Sequence, residues 1–213
     1  MLNTKLKLRL AALVGGVGLS LVLTGCGDDG GDDPSAVQTA PNGDVFNDAD
    51  VEFATAMIPH HAQALEMVDQ TVGRELSPDL QALAAQIREA QAPEVEQMSD
   101  WLTAWEEPVP ETSLDHSNAE GHGHEGDDME GMEDMADMPG MMSAEEMDEL
   151  EAASDTEFEA LFLEMMIDHH QGAVEMAETE QSEGEYADAI ALAKAIEESQ
   201  TTEIETMEQL LGS

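Results

Sequence analysis

The sequence predicts an all-α protein, a four-helix bundle made from one helical hairpin used twice, and three observations carry that prediction. The first is an internal repeat with a constant offset of 109 residues. The second is apolar spacing in alternating steps of four and three within each copy, the signature of one helical face. The third is helix-capping chemistry ahead of the first, second and third long helices.

The repeat is long. Phe53, Met57, Ile58, His60, His61, Ala64, Glu66 and Met67 recur as Phe162, Met166, Ile167, His169, His170, Ala173, Glu175 and Met176. The match continues into the following helix without a gap. Leu83, Ala84, Ile87, Gln91, Glu94, Glu96, Met98 and Leu102 recur as Leu192, Ala193, Ile196, Gln200, Glu203, Glu205, Met207 and Leu211. Two copies of two helices give a bundle with pseudo-twofold symmetry.

Taken from the N-terminus, Lys5, Lys7 and Arg9 precede an apolar run from Leu10 to Leu23, which closes in Leu23-Thr24-Gly25-Cys26. The run is short for a membrane-spanning helix and reads as a signal peptide, residues 1–25. Its closing residues resemble a bacterial lipobox, in which the cysteine becomes the lipidated first residue of the mature chain. Cys26 is the only cysteine, so no disulfide within the chain is possible. The expectation is export, with a lipid anchor on the extracytoplasmic face of a bacterial membrane. Residues 26–46 hold the lipidated Cys26 and a tether rich in Gly, Asp and Pro. Residues 47–106 form the first hairpin. Asn47 or Asp48 caps its first helix, and Ser77-Pro78-Asp79 opens its second. Residues 107–142 are a disordered, acidic, His/Met-rich linker. Residues 143–213 form the second hairpin; Ser143 with Glu146 and Ser154 with Glu157 have capping-box spacing, so a short helix precedes the long one. Pro59 and Pro93 fall inside helical patterns, where each should kink its helix or free a carbonyl. The counterpart of Pro59 is Asp168, so the two copies differ beside their histidines.

Charge narrows the partners. Without residues 1–25 the chain keeps three basic residues against 49 acidic ones, a formal charge of −46. Nucleic acid is excluded as a partner, because phosphate binding needs clustered Lys and Arg. Attraction to cations fits, although an acidic surface also serves solubility alone. Aromatics make up 3% of the residues and Met is frequent, at 15. The core must therefore be built largely from Ala, Leu, Ile and Met.

The chemistry lies in the repeated face. His60 and His169 should point into the bundle, with Met57 and Met67, and Met166 and Met176, on the turns before and after. His61 and His170 sit one position around. Imidazole with thioether is a soft-to-borderline donor set that favours copper, Cu(I) best of all, with zinc and iron left open. A di-iron carboxylate bundle places Glu three residues before each ligating His. Here those positions hold Met57, Ile58, Met166 and Ile167, although Glu66, Glu164, Asp168 and Glu175 lie close by. The competing reading is that the Met residues fill the core and the histidines are ordinary buried residues; paired histidines flanked by Met in both copies favour metal. In the linker, His116, His122 and His124 are followed by Met129, Met132, Met135, Met138 and Met141 at every third residue, suited to weak secondary capture of soft cations. No Ser or Cys nucleophile accompanies the histidines and no phosphate-binding Gly loop appears, so the residues offer little for catalysis.

The pattern Phe-x-x-x-Met-Ile-x-His-His, continuing to Glu66-Met67 and again to Glu175-Met176, resembles the signature of the domain of unknown function 305 family. The resemblance covers about residues 47–106 and 143–213. It implies a ferritin-like four-helix fold and similarity to CopM-type copper-binding proteins of the bacterial envelope. It also implies copper binding by Met57, His60, His61, Met67, Met166, His169, His170 and Met176. The functional expectation is a lipid-anchored envelope protein that buffers copper or passes it to a copper-accepting protein. The alternatives are a ferritin-like metal-dependent oxidoreductase and a helical interaction module that binds no metal.

Overall fold

The structure, a computed structural model, describes residues 36–112 and 138–212. The expectations for the signal peptide, for Cys26, and for His116, His122, His124, Met129, Met132 and Met135 lie outside the described residues. A two-stranded antiparallel ribbon comes first, β1 (Gln38–Thr39) and β2 (Val45–Phe46), in the register Gln38 to Phe46 and Thr39 to Val45. Among the described residues five helices follow: α1 (Asp48–Asp69), α2 (Pro78–Trp105), α3 (Ala144–Ala152), α4 (Asp155–Glu183) and α5 (Ala187–Leu211).

Helix starts follow local chemistry. The Asn47 side chain accepts from the Asp50 N–H at 3.1 Å while Asp50 accepts from the Asn47 N–H at 2.7 Å, a reciprocal cap on α1. Ser77 caps α2 ahead of Pro78, and Ser143 with Glu146 caps α3. At α4, Glu157 accepts from both the N–H and the hydroxyl of Ser154. Both α1 and α2 run on through Pro59 and Pro93. The missing N–H groups free the carbonyls of Thr55 and Glu89. Both residues are exposed, so the freed carbonyls belong to the solvent side of their helices.

The four long helices make the bundle. α1 packs on α2 and α4, and α5 packs on α4 and α2. Its interior divides into two apolar clusters that the 109-residue repeat maps onto each other. One contains Phe53, Met57, Met98, Leu102, Ala173, Ala177, Ala189, Ala193 and Ile196. The other contains Phe162, Met166, Met207, Ala64, Val68, Leu80, Ala84 and Ile87. Each cluster therefore takes residues from all four long helices. The ends are closed differently. At one, Phe46 stacks on Trp105 with centroids 4.6 Å apart, and Tyr186 stands edge-on to Trp101 and Trp105. At the other, the Arg74 guanidinium lies 4.1 Å over the Phe158 ring and donates to the carbonyls of Glu151 and Ala153. No helix among the described residues is long and apolar enough to cross a membrane.

Candidate metal centre

Each long helix passes from one apolar cluster to the other, and at each crossing stand polar residues. On α1 these are His60 and His61, between Met57 and Ala64; on α4 they are His169 and His170, between Met166 and Ala173. On α2 they are Gln91 and Glu94, between Ile87 and Met98; on α5 they are Gln200 and Glu203, between Ile196 and Met207. The result is a polar waist across the bundle. All four histidines are fully buried, and Gln91 and Gln200 nearly so.

The geometry respects the repeat. His61 Nε2 lies 2.7 Å from Glu94 Oε2, and His170 Nε2 lies 2.7 Å from Glu203 Oε2. The His60 and His169 rings face each other across the hairpins, with centroids 3.8 Å apart and planes tilted by 39°. His60 Nε2 lies 3.1 Å from the Pro139 carbonyl. Carboxylates and carbonyls only accept, so these three Nε2 atoms carry the proton and donate. In a neutral ring the proton on Nε2 leaves Nδ1 as a lone pair.

Electrostatics disfavour the charged form of His60, His169 and His170. Burial, followed by the neighbouring His61, lowers the pKa of His60 to about 3. Burial and then His60 hold His169 well below the usual imidazole range. His170 is lowered chiefly by burial, although Glu203 pulls the other way. Neutral imidazole is the form that binds metals.

The waist also concentrates unmet hydrogen-bonding capacity. Twelve buried side-chain nitrogen and oxygen atoms among the described residues have no hydrogen-bond partner. Eight of them are here: Nδ1 of all four histidines, Nε2 of His169, both amide atoms of Gln91 and Oε1 of Gln200. Each orphaned polar atom costs about 1–3 kcal/mol, so together they rival the stability of a whole domain. Lone pairs on imidazole nitrogens, backed on two rings by a carboxylate, are what a bound cation satisfies.

The eight predicted core residues divide by depth. Met57, Met67 and Met166 are fully buried, and Met176 is half-buried against the cluster holding Met57. Met57 and Met67 lie in opposite clusters, on either side of the waist. No group of three or more His, Cys, Asp or Glu among the described residues is arranged to hold an ion as it stands. Glu164, Asp168 and Glu175 are exposed, and Glu66 is half-buried. The carboxylates that touch the histidines are instead Glu94 and Glu203, from α2 and α5. Their signal was in the sequence, since Gln91, Glu94, Gln200 and Glu203 all belong to the repeat, yet only the fold brings them to the histidines. Of the linker residues, Met138 and Met141 are half-buried in a segment packed across α1 and α4.

A helical bundle of two pseudo-symmetric hairpins with a buried histidine waist is thus the class of protein that fold and site define. The chain belongs to the family Domain of unknown function (DUF305), whose model matches residues 50–211. Its all-α helical bundle agrees with the fold of solved DUF305 proteins. A DUF305 fragment from Deinococcus radiodurans is 29% identical, with a TM-score of 0.64 over 82% of this chain and 99% of that one. A DUF305 protein from Streptomyces coelicolor is 30% identical, with a TM-score of 0.63 over 77% and 92%. CopM in its Cu(II)-bound form is 30% identical, with a TM-score of 0.58 over 76% and 95%; CopM also has solved Cu(I)- and Ag-bound forms. No curated protein matches the chain significantly.

Proposed function

We propose that this protein is an extracytoplasmic copper-binding protein, lipidated at Cys26, that buffers copper or hands it to an accepting protein. The single observation that carries the reading is the waist. Four buried imidazoles present unpartnered nitrogens, two of the rings face each other and the other two are braced by carboxylates. Solved Cu(I), Cu(II) and Ag forms of the similar CopM support copper as the cargo. His60, His61, His169 and His170 are its proposed holders, with Met57, Met67, Met166 and Met176 supplying thioethers from the adjoining turns. The residues from His116 to Met141 are a second, weaker collector.

An anaerobic Cu(I) titration against a competing chelator tests the reading. Replacing His60 and His169 together by Ala should cost more affinity than deleting residues 113–137. Equal or opposite losses would sink the waist as the principal site. Mass spectrometry of the mature N-terminus, expected to show a diacylglyceryl group on Cys26, tests the anchor. The His61–Glu94 and His170–Glu203 contacts favour one second reading, a ferritin-like iron site for redox chemistry. Iron content after expression in iron-rich and copper-rich media separates the two.

A further inference from the structure

Residues 138–143 form a strap over the waist, and it is seated where the repeat is broken. Gln63 of α1 and Gly172 of α4 occupy equivalent repeat positions but are chemically unlike. Gln63 grips the strap from both sides of a peptide unit. Its Nε2 donates to the Met142 carbonyl at 2.8 Å, and its Oε1 accepts from the Met142 N–H at 2.7 Å. Gly172 leaves the strap room to lie on α4. A Cβ there would stand 1.9 Å from the Pro139 carbonyl oxygen, an impossible contact with backbone. Gly140 closes against α4 in the same way. It has φ +76°, and a Cβ on it would stand 2.6 Å from the Asp168 carbonyl and 2.9 Å from that of His169. Between these anchors the Pro139 carbonyl accepts from His60 Nε2. The strap thus makes the two facing histidines unequal. The His60 ring has a hydrogen-bond partner on the strap, and the His169 ring has none there.

We propose that the strap is the gate of the histidine waist, and that Gln63 and Gly172 are the positioning residues that set how often it opens. This rests on the waist binding a soft cation, as proposed above. Seated, the strap excludes water from His60 and His169; lifted, it frees His60 Nε2 and opens a path to both rings. An ion enters and leaves only while the strap is lifted, so the gate governs exchange rates and leaves the affinity of the closed site alone. Gating also gives Met138 and Met141 a place, since they end the linker's every-third-residue run of thioethers and lie on the gate itself.

Two variants unseat the strap by different means. Gln63→Ala removes both hydrogen bonds to Met142, and Gly172→Ala drives a methyl into the Pro139 carbonyl while favouring the helix intrinsically. Circular dichroism and thermal melts of both establish that the bundle is intact. The first readout needs no metal: acylation of His60 and His169 by diethylpyrocarbonate, located by mass spectrometry. The second is the release rate of Ag(I) from the loaded protein into excess competing thiol, with Kd measured separately. The gate predicts that both variants acylate and release silver faster than wild type with Kd unchanged, about tenfold for Gln63→Ala, a factor set by the loss of its two hydrogen bonds. Acylation and release at wild-type rates in the folded variants would overturn the gate. A changed Kd with an unchanged release rate would also overturn it and make Gln63 or Gly172 part of the site instead. Faster acylation with no silver bound at the waist in any form would overturn the metal reading and the gate's role in metal exchange.

Discussion

Glu180 should be the most pH-sensitive point in the bundle outside the waist. It lies on α4 with 1% of its surface exposed, beside the fully buried Asp50 of α1. Asp50 accepts from three N–H groups: those of Asn47 at 2.7 Å, Tyr186 at 2.9 Å and Glu185 at 3.2 Å. The Glu180 oxygens have no donor of their own. Burial, then its hydrogen bond to Asp50 and the Asp50 charge, raise the Glu180 pKa from 4.5 to about 9. At neutral pH it is a protonated acid donating to Asp50. Because the folded pKa lies above the unfolded one, the native state binds the extra proton, and stability falls as pH rises from 4.5 to about 9. Each pH unit costs about 1.4 kcal/mol. Wild type at pH 7 should therefore be about 3 kcal/mol less stable than an isostere that is always neutral. Glu180→Gln is that isostere, and its amide can donate to Asp50 in the same place. Urea denaturation of both proteins at pH 5, 7 and 9 measures the difference, in which all other titrations cancel. The variant should gain on wild type steadily across that range. A difference independent of pH would refute the reasoning and mean that Glu180 is ionised in the native state.

Three further outcomes are expected. Glu94→Gln with Glu203→Gln keeps an acceptor for each imidazole but removes the negative charge behind it, and should weaken Cu(I) binding about 10–100-fold while leaving the helical signal intact, by chelator competition and circular dichroism. Arg74→Ala removes donors to the carbonyls of Glu151 and Ala153 and the stacking on Phe158, and should cost about 2–4 kcal/mol by urea midpoint. Arg74→Lys should recover little of that loss, because one ammonium cannot replace the planar fork. Phe162→Ala opens a cavity in a fully buried cluster and should cost about 3–5 kcal/mol, with a thermal melt displaced accordingly.

Periodicity is why so much of the fold is legible in the chain. Phe53, Met57, His60 and Ala64 share a face because a helix repeats every 3.6 residues, and that face is buried in the bundle whatever its neighbours are. Caps are legible for a similar reason, since Asn47 with Asp50 and Ser143 with Glu146 act across three residues. Contacts that cross helices are harder to read. Nothing local to His61 indicates that Glu94 on the next helix meets its Nε2, although the recurrence of both residues at His170 and Glu203 hints at a shared purpose. The strap is less legible still, because Gly172 reads as a helix glycine until Pro139 is seen lying against it.

The long helices, the caps at Asn47, Ser77, Ser143 and Ser154, the two-copy symmetry and the inward histidines can be read from the chain alone, because each depends on interactions within one or two turns or on residue-by-residue repetition. The meeting of the two histidine pairs in one waist, their bracing by Glu94 and Glu203, and the strap's bond to the His60 ring emerge with the folded bundle. Those outcomes depend on which side chains from distant segments end up in contact, and on the space left for backbone at Gly140 and Gly172. Packing sets both, since a buried polar atom takes whatever partner the assembled bundle brings within about 3 Å.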